Sequence, residues 1–491
     1  MDKAVSVRCP VLLISALGSG QGKTTVTAAL ARLLTRRGHR VRVFKCGPDF
    51  LDPLWHQLAS DAPVDNLDLW MVGEDDVRER LRAAARDCDV ILVEGVMGLH
   101  DGTPSTADLA RRFGLPVLAV VQAGHMAQTL GAVVHGLRHY RQEAGALRWA
   151  GVLANGVASD GHAALLQAAV QATVQETTQE TAQDTAQETT QAVSDWLGHL
   201  PRSDALGLPE RHLGLVAVGD LGLPTALARL DAAADALQAT PLGQMTLDDW
   251  RARWSVDFAA PDDLLLYLLE NQGQPLAGHT VAVARDAAFA FIYPANIEYL
   301  QNLGARVVYF SPLAGDALPA CDALWLPGGY PELHAHVLAA RTDLRHQLHA
   351  HAQADRPIWA ECGGMMALFE QIETADGKTY PMWGLLPGRT RMQRRLGGLG
   401  MQQWQPSSHV CALRGHTFHY SVVDTPLTPV AYTEPAPGSA RTQGEPIYAA
   451  GPTGQVRASY FHAWLPSSVL ITLELFKTKS QAKNTSDTSG A

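Results

Sequence analysis

The sequence has no apolar run long enough to cross a bilayer. Its longest, such as residues 11–17 and 90–93, are strand-length, whereas a membrane helix needs about 20 residues. No Lys/Arg-rich tract stands out, and the formal net charge is -10. Nucleic acid and membrane are therefore not expected partners. None of the six cysteines, Cys9, Cys46, Cys88, Cys321, Cys362 and Cys411, forms a CxxC pair. That scatter argues against a disulfide framework or a zinc site and fits a reducing cytoplasm. A signal-peptide layout is missing as well, because the first apolar run leads straight into a glycine-rich loop. What is present is an ordinary globular composition over 491 residues, 46% hydrophobic and 18% charged. That length suits two or three domains.

The first half predicts alternating strands and helices. Residues 11–16, 41–44, 90–93 and 116–121 are short apolar runs, and 24–34 follow a helical period. Such alternation implies a parallel sheet covered on both faces. Residues 171–192 are a near-repeat of Gln, Glu and Thr without large apolar side chains. They cannot bury enough surface to offset their ordering entropy, and read as a solvated insertion, flexible or marginally helical. The composition shifts again around 236–278. The expected organisation is a first domain over 1–240, a linker over 241–277, a second α/β domain over 278–476 and a disordered tail over 477–491. Strands are expected at 280–284, 307–310, 323–326 and 357–360.

The loop GSGQGKTT at 18–25 lies between the first strand and first helix. Gly20 and Gly22 let backbone N–H groups turn in around phosphates. Lys23 can reach the β- and γ-phosphates of ATP, Thr24 offers a hydroxyl to Mg²⁺, and Thr25 continues the helix N-terminus. The motif is imperfect, since Leu17 stands where a first glycine is usual. Asp49 and Asp52 follow the second strand; Glu94 and Asp101 follow the third. Carboxylates at the C-terminal edge of a parallel sheet face the ligand crevice. Asp49 and Glu94 are hard oxygen donors suited to Mg²⁺. For Asp52 and Asp101 three roles stay open: a second metal, positioning of the acceptor, or a loop charge or helix cap.

In the second half, LPGGYPE at 326–332 and WAECGGM at 359–365 each follow a strand. A cysteine on a tight strand-to-helix turn is exposed for attack, and the helix N-terminus favours its thiolate. Gly363 and Gly364 permit that turn. The amides near Gly328 and Gly329 can form an oxyanion hole. Cys362 needs a base: His462 is the first candidate, with His416 and His419 behind it.

Taken together and in order, SGQGKTT, FKCGPDFLDP, VEGVMGLHDG, LPERHLGL, ARDAAFAFIYPANIEYL, LPGGYPELH, AECGGMM, RGHTFHYS and ASYFH resemble the cobyrinic acid and hydrogenobyrinic acid a,c-diamide synthase family. The resemblance covers nearly the whole chain outside the Gln/Thr insertion, parts of 236–278 and the tail. It implies an α/β fold: an N-terminal P-loop, dethiobiotin-synthetase-like parallel-sheet domain joined to a C-terminal class I glutamine amidotransferase domain. It also implies the chemistry, in which ATP with Mg²⁺ phosphorylates a corrin carboxylate and ammonia from glutamine displaces the phosphate, twice per macrocycle. On the matching positions, Lys23 and Thr24 fall on phosphate and Mg²⁺ sites, and Asp49 and Glu94 on metal-binding carboxylates. Asp52 and Asp101 fall near acceptor and nucleotide, and Asn155 on the residue that reads adenine. Cys362 and His462 match the nucleophile and base.

Two departures stand out. Class I glutaminases carry a glutamate two residues after the histidine, and this chain has Trp464. The corrin-amidating branch it resembles also lacks that glutamate, so the departure supports the branch; weaker orientation of His462 and slow glutamine hydrolysis are expected. Ala360 replaces a glycine common before such cysteines. Related architectures give the alternatives, a nickel-sirohydrochlorin a,c-diamide synthase and cobyric acid synthase. A partner-organising P-loop ATPase is the alternative of a different class; it would have a lysine at Gly18 and no glutaminase half. Arg391, Arg394 and Arg395 are candidates for pairing with substrate carboxylates, or form a solvated basic loop. A homodimer is the assembly the reading allows.

Overall fold

Ten residues with eight consecutive buried positions make β1 (Val7–Ala16). A strand buried on both faces belongs in the middle of a parallel sheet. The computed structural model places it there. It describes residues 6–181, 195–208, 210–211, 214–215, 222–259, 273–406, 409, 411–439 and 443–477. The Gln/Thr-rich stretch beyond 181 and the tail from 478 lie outside these residues. The chain divides into two compact units, Met1–Asp263 and Leu264–Ala491.

In the first unit, β1 is followed by α1 (Lys23–Arg36), β2 (Val41–Cys46), α2 (Asp52–Ser60), β3 (Asp65–Leu67), α3 (Glu74–Asp87) and β4 (Val90–Glu94). Then come α4 (Thr106–Phe113), β5 (Val117–Gln122), α5 (Thr129–His139), β6 (Trp149–Val157), α6 (Asp160–Thr181) and β7 (Trp196–Pro201). The order β3-β2-β4-β1-β5-β6-β7 is parallel throughout. Strand order reverses at β1, so a ligand crevice opens at its C-terminal end, where the glycine loop begins. α1 buries Val26, Ala29, Leu30 and Leu33 against the sheet.

The expected linker at 241–277 is corrected in its first part. It holds a helix, Leu247–Trp254, and a strand, Ser255–Phe258, that pairs antiparallel with β1. Trp250 and Trp254, one turn apart, are buried in the first unit's core. Two tryptophans on one face of an otherwise polar helix hold a segment that its average composition presents as a connector.

The second unit has a mixed sheet. Arg306–Phe310, Thr280–Ala284, Ala323–Leu326, Ile358–Glu361 and Val456–Ser459 run parallel in that order. Two antiparallel strands extend it. A smaller antiparallel sheet includes Gly398–Trp404, Leu413–His419 and His462–Ala463. Buried Asn296 ties this sheet to the helix Pro294–Asn302: its amide donates to the Ala463 carbonyl at 2.8 Å and accepts from Leu465 N–H at 2.9 Å. Asn296→Ala should leave two buried backbone groups unpaired and cost about 2–4 kcal/mol. Urea unfolding measures it, and an unchanged midpoint would contradict the clamp. Among the described residues no helix is long and apolar enough to cross a membrane.

Candidate active sites

Each unit carries one constellation at the C-terminal edge of its parallel sheet. In the first, Gly20 and Gly22 have φ of 72° and 92°, the left-handed backbone that glycine adopts without penalty. A Cβ on Gly22 would also strike the Asn155 side chain. Asn155 reaches from β6 to donate to the Gln21 carbonyl at 3.1 Å, so it braces the phosphate loop from the side. Leu17 is 38% exposed; the residue standing for the usual glycine points outward, and the loop tolerates it.

Lys23 donates to the Gly18 and Met97 carbonyls, both at 2.7 Å. Burial, then the nearby Lys45 charge, lowers its ammonium to about 8. Thr24 Oγ1 donates to Glu94 Oε1 at 2.7 Å. Glu94 is fully buried at the end of β4, and two further groups grip it. Lys45 Nζ lies 2.9 Å from Oε1, and His56 Nε2 pairs with Oε2. Burial alone would raise the Glu94 carboxyl, but Lys45 and His56 reverse this and hold it low. Burial likewise disfavours the Lys45 ammonium; Asp52, Glu94 and Asp49 outweigh it and hold it above the ordinary lysine range. Asp52 Oδ2 sits 2.5 Å from Lys45 Nζ.

The four candidate carboxylates therefore differ. Glu94 meets the P-loop threonine directly. Asp49 Oδ1 accepts from Leu51 N–H at 2.7 Å, and Asp101 Oδ2 from Gly98 N–H at 2.8 Å; each stabilises its own turn. Asp52 is an ion-pair partner of Lys45. Lys45 and His56 are absent from the sequence-based candidates. Lys45 had a signal, a lone cation near the end of an apolar strand, which is costly unless paired. His56 had a weak one, its i+4 spacing from Asp52 on α2. The Thr24–Glu94 oxygens suit Mg²⁺. Among the described residues no cluster of three or more His, Cys, Asp or Glu forms a ready metal cage. Few protein ligands, completed by phosphate oxygens and water, is the usual Mg²⁺ arrangement.

In the second unit, Cys362 sits between the strand Ile358–Glu361 and the helix Gly363–Leu368 with φ 45° and ψ -106°. A non-glycine residue in that region is strained, as strand-to-helix nucleophile turns are. A Cβ on Gly364 would overlap the Leu326 carbonyl, and one on Gly363 would lie 2.9 Å from Gly329 N. The two glycine pairs thus pack backbone to backbone. Gly328 lies against the His462 ring, so the Gly328–Gly329 segment touches both the imidazole and the nucleophile turn. Cys362 N–H donates to Ser459 O at 2.7 Å, which fastens the turn to the strand leading into His462.

The expected thiolate is corrected. Burial, then the Glu332 charge, pushes the Cys362 thiol well above its ordinary range; desolvation outweighs a six-residue helix. A neutral thiol needs a base. Burial, and then His416 and His419, hold His462 well below the usual imidazole range, so its lone pair is free of a proton at neutral pH. The two runners-up are committed elsewhere. His416 stacks on His462 with ring centroids 4.8 Å apart and meets Tyr293 OH at 3.1 Å. His419 stacks on Tyr460 and pairs with Glu445 at 3.1 Å. Trp464 is buried edge-on to Tyr293. Glu361, also missing from the sequence-based candidates, is 1% exposed and lies 3.9 Å from His462 Nδ1. Arg391, Arg394 and Arg395 are exposed.

Comparison with known proteins follows this division. A CobQ/CobB/MinD/ParA nucleotide binding domain family matches residues 12–215, and a CobB/CobQ-like glutamine amidotransferase domain family matches 280–468. A hydrogenobyrinate a,c-diamide synthase of Stutzerimonas stutzeri is 48% identical over 473 residues, 96% of this chain and 99% of its own. One of Pseudomonas aeruginosa is 47% identical over 462 residues, covering 94% and 96%. A cobyrinate a,c-diamide synthase of Herminiimonas arsenicoxydans is 44% identical over 479 residues, covering 96% and 98%.

Proposed function

The chain belongs to the hydrogenobyrinate and cobyrinate a,c-diamide synthase family, and from that premise we propose that it uses ATP and glutamine to amidate the a and c side-chain carboxylates of hydrogenobyrinic or cobyrinic acid. The observation that carries this reading is the pairing, on one chain, of a phosphate loop anchored to Glu94 with a strained cysteine turn fastened to the His462 strand.

In the first unit, the amides of 18–25 cradle the nucleotide. Lys23 leaves the Gly18 and Met97 carbonyls to pair with the β- and γ-phosphates, and Asn155 meets the base. Thr24, Glu94 and Asp49 would hold Mg²⁺, which when bound neutralises phosphate charge. Asp52 and Asp101 line the acceptor side. A substrate carboxylate oxygen attacks the γ-phosphorus, releasing ADP and forming an acyl phosphate. In the second unit, His462 takes the Cys362 proton as sulfur attacks the glutamine amide carbon. The Gly328 and Gly329 amides steady the oxyanion. The proton passes to the leaving ammonia, and water hydrolyses the thioester to glutamate. Ammonia displaces phosphate from the acyl phosphate, and a second carboxylate follows. Arg391, Arg394 and Arg395 are read as partners for the macrocycle's other carboxylates, and the setting as cytoplasmic, in keeping with six free cysteines.

The acyl phosphate has a direct test. With ¹⁸O-labelled carboxylates on the macrocycle, one ¹⁸O should appear in inorganic phosphate for each amide formed. Unlabelled phosphate alongside normal amide yield would overturn the acyl phosphate route.

A further inference from the structure

Glutaminases of this class orient the base with a glutamate two residues beyond it; here that place holds Trp464, whose indole N–H donates and cannot accept a proton. Among the described residues, the carboxylate that stands near the His462 ring comes from the opposite direction, one residue before the nucleophile. Glu361 ends the strand that delivers Cys362. Its Oε1 accepts from Trp359 Nε1 at 2.7 Å and from Ala463 N–H at 3.1 Å. Ala463 is the backbone neighbour of His462, so one oxygen anchors the strand that carries the base. The other, Oε2, stands 3.9 Å from His462 Nδ1. Both residues are 1% exposed. Glu445, also in the second unit, is already taken by Thr417 at 2.9 Å and His419 at 3.1 Å.

We propose that Glu361 is the positioning residue of this glutaminase: its Oε2 accepts the Nδ1 hydrogen of His462, leaving Nε2 to take the Cys362 proton. The assignment rests on the glutaminase reading above. Separations between catalytic groups of this kind shorten when substrate binds and charge develops. The proton balance is simple. The thiol proton moves to Nε2, the imidazolium keeps its Nδ1 hydrogen toward Oε2, and the Nε2 proton leaves with ammonia; Glu361 neither gains nor loses one. Burial pushes the Glu361 carboxyl up to about 8, while the N–H donors of Trp359, Ala463 and Trp325 pull the other way. Glu361 acts in its ionised form, which those standing donors favour before the imidazolium forms. The arrangement answers the missing glutamate, because orientation comes from the cysteine's own strand.

Glu361→Gln separates positioning from scaffolding. The amide oxygen retains the acceptor for Trp359 and Ala463, while the amide NH₂ replaces Oε2 with a donor and favours the wrong imidazole tautomer. In the full-length protein, kcat for glutamine hydrolysis should fall by about 10²-fold or more. KM for glutamine, ammonia-dependent synthesis and the thermal midpoint should hold. Unchanged kcat would overturn the assignment; so would a parallel loss of ammonia-dependent synthesis or of thermal stability, which marks a structural role. Cys362→Ser serves as the control. If that variant still hydrolyses glutamine, the glutaminase reading fails and takes this proposal with it; if it is inactive while Glu361→Gln matches the unaltered protein, only the role of Glu361 falls.

Discussion

Cys362→Ala should abolish glutamine-dependent synthesis, by at least about 10³-fold, and leave ammonia-dependent synthesis within about twofold. The loss follows because no other thiol in the second unit occupies such a turn. Cys321 is buried beside His351 and Cys411 is exposed on a loop. The retention follows because the substitution removes one sulfur from a site whose strain is set by backbone, and leaves the phosphate loop untouched. Alanine at a positive φ remains strained, so stability should change little. The assay compares amide yield with glutamine and with ammonium salt. A folded variant that fails with both nitrogen sources would show that ammonia is not a free intermediate.

Lys23→Ala should give the opposite signature: loss with either nitrogen source, on the order of 10²–10³-fold, as for removal of a charged group that meets developing phosphate charge. Ammonia cannot rescue it, because the carboxylate is never activated. Lys23 is already desolvated and held by two carbonyls at 2.7 Å, so the wild-type loop is preorganised. Its removal frees two acceptors that water can reach, and folding should survive. ATP turnover with the macrocycle present is the measurement, and near-normal turnover would take the phosphate loop out of the mechanism.

Much of this was legible in the sequence for physical reasons. The P-loop and the cysteine turn are local, since glycines at fixed offsets between a strand and a helix dictate their own geometry. Lys23, Thr24, Gly363 and Gly364 could be read that way. Glu94 was legible because a carboxylate ending an apolar strand needs a reason to be there. What sequence order conceals is pairing across strands. Lys45 and His56 meet Glu94 only once β2, α2 and β4 are assembled, and Glu361 meets His462 only through the neighbouring strands. The thiol of Cys362 was misjudged because burial depth, unlike turn type, is not a local property. The strand Ser255–Phe258 was missed because a four-residue edge strand leaves almost no periodicity to detect.

The most direct test is mass spectrometry of the tetrapyrrole product. Protein is supplied with Mg-ATP and amide-¹⁵N glutamine, and with hydrogenobyrinic acid and cobyrinic acid in parallel. Two ¹⁵N atoms on one macrocycle, absent with Cys362→Ala and with Lys23→Ala, are the predicted result. Unlabelled macrocycles from protein that still hydrolyses glutamine would contradict it and point to a different carboxylate acceptor.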